Sequence, residues 1–208
     1  MEELLALYGL PVPDQAVAHT AKEAVEFAEQ IGYPVIAKVS SPDILHKTDI
    51  GGIRANLKTP TDVKSAYTDI IKNCAKHMPA AGIKGVLIQK FLPVGKEFII
   101  GALRDQTFGP LVMVGLGGIY TELFRDTAFR IAPVSHKQAY EMFQQLKSWK
   151  LLLGMRGAPK ADIDTLADTL VAIATLVTDC PSIKELDLNP VLVHEKGVII
   201  ADVKIVVG

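Results

Sequence analysis

Apolar and polar positions along this chain repeat at intervals that predict helices in its first third. Between residues 20 and 31 the apolar side chains have the spacing of one buried helix face: Ala21, Ala24, Val25, Ala28 and Ile31. Thr20 and Glu23 have the spacing of a capping box at the start of that helix, and Gly32 supplies a stop after it. Thr59-Pro60 likewise predicts a second helix, which runs to about His77.

Short apolar runs rich in β-branched residues predict strands around these helices. The predicted strands span 34–39, 53–57, 85–91, 97–103, 110–115, 184–188, 191–195 and 198–207. Further helices are predicted at the N-terminus, ending near Gly9, and over 135–149 and 161–178. This order of elements predicts an α+β protein of two lobes, divided approximately into residues 1–90 and 91–208.

Composition and charge argue against several classes of function. The 208 residues are 49% apolar and 22% charged, which suits one domain or two small lobes. The formal net charge of -1 lacks the basic excess expected for nucleic-acid or membrane binding, and no apolar run approaches the ~20 residues of a membrane span. Two distant cysteines, Cys74 and Cys180, and an acidic N-terminus without a signal peptide predict a cytoplasmic protein.

Lys38 is a charged residue inside an apolar strand, flanked by Ala37 and Val39. Burying an unpaired ammonium is costly, so this side chain needs a partner or a cleft. One interpretation is a cation that binds phosphate, and the other is an exposed lysine on an edge strand.

The segment 45–53 combines His46, Lys47 and Asp49 with the adjacent glycines Gly51 and Gly52. Paired glycines let a backbone approach a phosphate and point N–H groups at it, although they also occur in ordinary hairpin turns. A neutral imidazole beside a bound phosphate could act as a nucleophile for phosphoryl transfer, whereas most loop histidines are surface residues. A second glycine-rich loop, 115–118, is followed by Glu122 and Arg130, which could pair; the guanidinium fork of Arg130 suits phosphate oxygens.

Residues 185–190 read Glu-Leu-Asp-Leu-Asn-Pro, so Glu185, Asp187 and Asn189 share one face of a strand. Three oxygen-bearing side chains on one face suit Mg²⁺, which prefers oxygen ligands, and Asp202 could add a carboxylate. A solvated strand face is the alternative.

Seven segments, in order along nearly the whole chain, resemble the ATP-grasp nucleotide-binding β subunit or domain of ADP-forming acyl-CoA synthetases, the acetate–CoA ligase (ADP-forming) family. The segments are 32–38 (GYPVIAK), 41–49 (SPDILHKTD), 51–53 (GGI), 108–110 (FGP), 115–119 (GLGGI), 129–133 (FRIAP) and 185–190 (ELDLNP). The resemblance implies a two-lobed ATP-grasp fold with ATP or ADP and Mg²⁺ bound between the lobes.

The resemblance also implies a reaction and a partner. Carboxylic acid, CoA and ATP interconvert with acyl-CoA, ADP and phosphate through phosphohistidine. A CoA-binding α subunit or domain would bind the acid and CoA and set the acid selectivity. This chain is therefore expected to be incomplete alone and to work in a hetero-oligomer.

The residue roles implied by the resemblance extend across the chain. His46 would carry the phosphoryl group, with Asp187 near the phosphohistidine. The nucleotide would be held by Lys38, Gly51, Gly52 and Glu97. Residues 88–91, with Gln89, Lys90 and Phe91, would form a hinge that contacts adenine through backbone groups. Asn189 and Asp202 would be the Mg²⁺ ligands. Two alternatives are a regulatory nucleotide-sensing module of a fusion protein and an ATP-grasp ligase for another carboxylate.

Overall fold

A computed structural model of the chain describes residues 2–10, 12–44, 47–118, 126–155, 157 and 159–208. Contacts within it form two compact units. One unit is Pro13–Pro93, and the other joins Met1–Val12 to Val94–Gly208. The lobe boundary near residue 90 stays a prediction, and the structure adds that the first twelve residues group with the C-terminal part.

The described elements alternate between helix and strand early and are mostly strands later. The helices are α1 (Glu2–Leu7), α2 (Ala21–Ile31), α3 (Pro60–His77), α4 (His136–Gln145), α5 (Trp149–Leu152) and α6 (Ile163–Asp179). The strands are β1 (Gln15–Ala18), β2 (Val35–Ser40), β3 (Ile53–Leu57), β4 (Gly85–Lys90), β5 (Lys96–Asp105), β6 (Gly109–Leu116), β7 (Thr127–Ile131), β8 (Ile183–Val193), β9 (Val198–Ile200) and β10 (Val203–Val207).

The unit Pro13–Pro93 is an antiparallel sheet packed against two helices. Its strand order is β1-β4-β2-β3. Alternate strand residues and the apolar faces of α2 and α3 form its core: Ala18, Val35, Ala37, Val39, Val86, Ile88, Ala24, Ala28, Val63, Ala66, Ile70 and Cys74. Because strand side chains alternate, Lys38 and Gln89 lie on the other face of this sheet.

Both helices of this unit begin at threonine caps. Thr59 and Asp62 form the full capping box at α3, with Pro60 in the first turn. At α2 the Thr20 hydroxyl accepts from the Glu23 N–H at 3.1 Å, as predicted. The Glu23 carboxylate, however, accepts from the N–H of His19, one residue before the cap. The predicted box is therefore only half formed.

The other unit is a larger antiparallel sheet with strand order β10-β8-β5-β6-β7, and β9 pairs with β8. Helices α4 to α6 pack on its core. Nine residues of α6 are buried, and all of them except Thr169 belong to that core: Ile163, Leu166, Ala167, Thr169, Leu170, Ile173, Ala174, Leu176 and Val177. Leu5 and Leu10, at 0% and 1% exposure, fill the same core. The N-terminal residues are therefore an integral part of this unit.

Five predictions differ from the structure, and one of them is the strand predicted over 198–207, which is divided into β9 and β10. β8 is one strand where two were predicted, because Pro190 falls where the partner of β8 changes from β10 to β9 and a missing N–H costs little. The helix predicted over 135–149 ends at Gln145, because the N–H groups of Lys147 and Ser148 donate to Asp126 instead. β1 and β7 were not predicted: both are short and carry few buried apolar side chains.

Two side chains hold the ends of α6. Asp162 caps its start, accepting from the Thr165 N–H at 3.1 Å and from the Gly197 N–H at 2.8 Å. Arg104 binds carbonyls at its end, including those of Val177 and Cys180. These contacts connect α6 to β5 and to the turn before β9.

Asp162→Ala is expected to destabilise the protein by about 1–2 kcal/mol at pH 7, because a helix cap and a turn contact are both lost. Hydrogen bonds from Gly197 and Thr165 hold the pKa of Asp162 below its ordinary value. A lowered folded-state pKa stabilises the protein above the unfolded pKa, and this stability is lost as pH falls through the folded value. Urea unfolding should show the difference shrinking below about pH 4.

The exposed turn residue Glu195 provides the matched control, since Glu195→Ala should leave the unfolding midpoint unchanged. Equal stability of Asp162→Ala and wild type at pH 7 would contradict the capping role.

Among the described residues, no helix combines the length and hydropathy needed to cross a bilayer.

Candidate functional site

Lys38 lies on β2, an inner strand, and only 8% of its surface is exposed. Its ammonium donates to Gln89 Oε1 at 2.8 Å. Gln89 is 3% exposed, and its Nε2 donates to Gln15 Oε1 at 2.9 Å. The edge-strand alternative for Lys38 is therefore wrong: this lysine is buried and engaged in a polar chain.

The cross-strand register explains why these three side chains meet. Gln89 of β4 lies directly opposite both Gln15 of β1 and Ile36 of β2. Lys38 is two residues from Ile36 and so shares its face. Three neighbouring strands thus each contribute one polar side chain to the sheet face opposite the helices.

Gly51 and Gly52 form a tight turn before β3. Gly51 has φ +65°, and a Cβ on Gly52 would lie 2.8 Å from Val39 Cγ1 and 2.9 Å from the Lys47 carbonyl oxygen. The Gly51 N–H donates to the Thr48 carbonyl at 3.0 Å, and the Gly52 N–H to the Lys47 carbonyl at 2.7 Å. Both N–H groups are used to fold the loop, so phosphate contact by this pair stays a prediction.

Arg54 and Asn73 also hold this turn, and neither was singled out in the sequence. Arg54 donates to the carbonyls of Gly51 and Ile53 at 3.2 and 3.0 Å. Asn73 of α3 donates to the Gly51 carbonyl at 3.1 Å. Asn73 lies beside Cys74 of the buried face of α3, and Ile53 separates Arg54 from the two glycines, so neither position carried a local functional signal.

The segment Gln89–Phe91, predicted to contact adenine, is bound at its backbone within its own unit. The Lys90 N–H donates to the Asp14 carbonyl at 3.0 Å, and the Phe91 N–H to the Pro34 carbonyl at 3.1 Å. The Lys90 ammonium donates to the carbonyls of Gly32 and Tyr33 at 2.7 and 3.2 Å. The visible role of Lys90 is therefore to fix the turn after α2.

In the other unit, β8 carries the acidic face predicted from sequence. Leu186 and Leu188 are buried, whereas Glu185, Asp187 and Asn189 alternate with them. Asp187 lies opposite Gly101 on one side and Lys204 on the other. Gly101 itself has no side chain, and the Met113 side chain packs against it: a Cβ on Gly101 would lie 3.2 Å from Met113 Cε.

Burial and neighbouring charges raise the pKa of Asp187. Partial desolvation is the largest cause, the negative charge of Glu185 adds to it, and Lys204 opposes both. Asp202 raises the pKa slightly further. A partly buried group of like charges of this kind is stabilised by a cation or by a proton.

Asn189 and Asp202 are joined through the backbone. The Asn189 N–H donates to the Asp202 carbonyl at 3.1 Å, and Asp202 Oδ1 accepts from the Val203 N–H at 3.0 Å. Within the described residues, no three His, Cys, Asp or Glu side chains form a metal-binding cluster. Amide and carboxylate oxygens nevertheless suit Mg²⁺, which takes one or two protein ligands and completes its shell with phosphates and water.

Glu97 and the glycines of the second loop form a compact corner. The Gly117 N–H donates to the Glu97 carbonyl at 2.8 Å. A Cβ on Gly117 would lie 2.9 Å from the Glu97 carbonyl carbon, and one on Gly118 would lie 2.7 Å from Glu97 Oε2. These glycines therefore allow the loop to pack directly on β5, with the exposed carboxylate of Glu97 over it.

Arg130 lies on β7, and its guanidinium approaches the Glu141 carboxylate of α4 at 3.7 Å. Both side chains are partly exposed, so this pair contributes little to stability. Glu122, suggested as its partner, lies outside the described residues, as does His46. Lys38 and Gln89 are brought together in one unit, and Asp187, Asn189 and Asp202 are grouped in the other.

Comparison with known proteins extends these observations. The sequence matches the ATP-grasp domain family over residues 1–207. It is 42% identical over 205 residues to the β subunit of acetate–CoA ligase (ADP-forming) I from Pyrococcus furiosus. That similarity covers 99% of this chain and 88% of the relative.

Two solved structures of Ca. Korarchaeum cryptofilum dinucleotide-forming acetyl-coenzyme A synthetase 1 are also similar. One, in complex with coenzyme A, Ca-AMPCP and HgCl+, has a TM-score of 0.95 and 43% identity, covering 99% of this chain and 90% of that chain. The other, with coenzyme A and Mg-AMPPCP, has its phosphohistidine segment pointing towards the nucleotide binding site. Its TM-score is 0.86 at 41% identity, covering 98% of this chain and 88% of that chain.

Proposed function

Since this chain belongs to the ATP-grasp family, we propose that it is the nucleotide-binding and phosphoryl-transfer part of an ADP-forming acyl-CoA synthetase. The reaction interconverts acyl-CoA, ADP and phosphate with carboxylic acid, CoA and ATP. The observation that carries this proposal is the similarity, along 99% of this chain, to the β subunit of an ADP-forming acetate–CoA ligase. The regulatory module and the ligase for another carboxylate are not favoured by these relatives.

Lys38 is the proposed phosphate ligand of the unit Pro13–Pro93. Lys38 as a residue is only 8% exposed, so its surroundings screen the ammonium charge weakly and strengthen its attraction to an anionic ligand. Gln89 to Phe91 are the proposed adenine contacts. The backbone N–H groups of Lys90 and Phe91 already donate hydrogen bonds within the protein. Backbone carbonyl oxygens of this segment would therefore accept from the adenine amino group.

Asn189 and Asp202 are the proposed Mg²⁺ ligands, and Asp187 adds a nearby negative charge on the face of β8 that carries Asn189. Mg²⁺, when bound, would neutralise phosphate charge in the transition state. The raised pKa of Asp187 fits this assignment, since a bound cation would favour its ionised form. Glu97 and Arg130 remain proposed nucleotide contacts. The Arg130 guanidinium, now 3.7 Å from the Glu141 carboxylate, would bind a phosphate of the nucleotide in its place.

His46 is the proposed phosphoryl carrier, five residues before Gly51 in the sequence. A ring nitrogen of neutral His46 attacks the γ-phosphorus of ATP, and an N–P bond forms. The bond from that phosphorus to the bridging oxygen breaks, and ADP leaves with the electron pair. In the other direction an ADP oxygen takes the phosphoryl group from the imidazole.

A CoA-binding α subunit or domain is the proposed partner, because the relative is named as a β subunit. The acid and CoA would bind to that partner, and the assembly would be a hetero-oligomer. The cytoplasm is the proposed compartment, in keeping with two cysteines that are both free thiols.

Labelling with ATP tests this proposal. The purified chain is incubated with γ-labelled ATP and Mg²⁺, with and without an α-type partner from such a synthetase. We expect acid-labile, base-stable label on this chain, as phosphohistidine gives, and loss of that label when EDTA removes Mg²⁺. His46→Ala should remove the label while leaving equilibrium binding of Mg²⁺-ADP in place.

Each result has a distinct meaning. No label on wild type in either condition would refute phosphoryl transfer. Label that persists in His46→Ala would place the phosphoryl group on another residue. Absence of Mg²⁺-ADP binding by wild type would refute the nucleotide site itself.

A further inference from the structure

We propose that Gln15 and Gln89 form a positioning relay that holds the Lys38 ammonium for the phosphates of the nucleotide. This inference rests on the proposed function and adds two side chains to it. Gln89 is a proposed adenine contact through its backbone, and the relay gives its buried side-chain amide a separate role in holding Lys38. Gln15, on a strand that the sequence did not predict, has no role in the site without this relay.

The direction of the relay follows from the chemistry of its members. A protonated lysine only donates hydrogen bonds, so the atom of Gln89 that faces Lys38 Nζ at 2.8 Å must be its carbonyl oxygen. The Gln89 amide nitrogen then points away from the ammonium. It donates to Gln15 Oε1 at 2.9 Å. Each contact therefore fixes the orientation of the next.

Gln15 acts on Lys38 through Gln89. Without an acceptor at Gln15, the buried Gln89 nitrogen would lose this partner, and a flipped amide would present N–H groups to an ammonium. Direct pairing of Gln15 with Gln89 across the strands holds their side chains close without distorting either strand. The oxygen that accepts from Lys38 is thereby fixed by two strands.

A fixed ammonium matters because lysine has a long, flexible side chain. The rotatable bonds of its four-carbon stem allow the ammonium to occupy many positions, and fixing the ammonium on a ligand costs conformational entropy. Because Gln89 already holds the ammonium in the free protein, less conformational entropy is lost when the phosphates bind. The relay should therefore affect ligands according to their phosphates, and leave adenine recognition unchanged.

Calorimetric titration of the full chain with Mg²⁺-ADP and with adenosine tests the relay. Gln89→Met removes the acceptor at similar volume and should weaken Mg²⁺-ADP binding about tenfold. Gln15→Met should weaken it about threefold or more, while Gln15→Glu, which keeps an acceptor oxygen, should stay near wild type. Adenosine affinity should be the same in wild type, Gln15→Met and Gln15→Glu.

Two further variants separate positioning from general damage. Gln30→Met makes the same replacement at an exposed site of the same unit and should change neither affinity. In a Lys38→Met background, Gln15→Met should cause no further loss of Mg²⁺-ADP affinity, because it acts only through Lys38. This test uses Gln15, so it stands even if Gln89→Met does not fold.

The outcomes are distinguishable. Wild-type binding of Mg²⁺-ADP together with unchanged affinity in Gln89→Met and Gln15→Met would overturn the relay alone. An additional loss from Gln15→Met in the Lys38→Met background, or a parallel loss of adenosine affinity, would show a merely structural role and overturn it too. Absence of Mg²⁺-ADP binding by wild type would overturn both the relay and the proposed function.

Discussion

Lys38→Met is expected to weaken binding of Mg²⁺-ADP about 100-fold, the size of a charged hydrogen bond to a phosphate in a poorly screened site. Lys38 is 8% exposed, so water contributes little to screening its charge. Methionine keeps the length of the side chain and removes the charge. Calorimetric titration with Mg²⁺-ADP measures the effect.

Lys22→Met is the matched control, because Lys22 is 87% exposed on α2 of the same unit. It makes the same chemical change and should leave the affinity unaltered. Thermal unfolding of both variants checks that the fold is retained. Equal Mg²⁺-ADP affinity in Lys38→Met and wild type would remove Lys38 from the nucleotide site.

Asp187→Asn is expected to have opposite effects on stability and on phosphoryl transfer. In metal-free protein the ionised carboxylate is partly desolvated and repelled by Glu185, so a neutral amide of the same shape relieves that cost. The Tm in EDTA should rise by about 2 °C or more. The labelling rate with Mg²⁺ and ATP should fall about 100-fold, because a charge proposed to lie near the transferred group is lost.

Glu185→Gln provides a comparison on the same strand face, since Glu185 is exposed and its neutral amide should change the labelling rate little. Differential scanning fluorimetry and single-turnover labelling supply the two measurements. A lower Tm for Asp187→Asn would mean that the carboxylate stabilises the metal-free fold. An unchanged labelling rate would exclude Asp187 from phosphoryl transfer.

Much of the fold could be predicted from local patterns. Thr59-Pro60 and Thr20 mark the starts of α3 and α2 because a cap depends on a few adjacent residues. β1 and β7 were not predicted because a strand of four or five residues depends on the neighbour with which it pairs. The break after Gln145 depends on Asp126, which is distant in sequence, so no local signal gave it.

The site shows the same division between local and distant information. The alternation of Glu185, Asp187 and Asn189 correctly predicted their common face, because strand geometry alone sets it. The partners of Lys38 could not be predicted, since Gln89 and Gln15 meet it only through the strand order β1-β4-β2. The turn glycines had two plausible roles, and only the hydrogen bonds of their N–H groups reveal the structural one.

The insertion of Pro13–Pro93 between two parts of the other unit has a consequence for synthesis on the ribosome. Leu5 and Leu10 are translated before the inserted unit, and their core partners after Val94 are translated only when that unit is complete. At about 5–20 residues per second, these two leucines wait on the order of ten seconds. The inserted unit can fold in that interval, whereas α1 stays an unburied apolar segment within reach of chaperones.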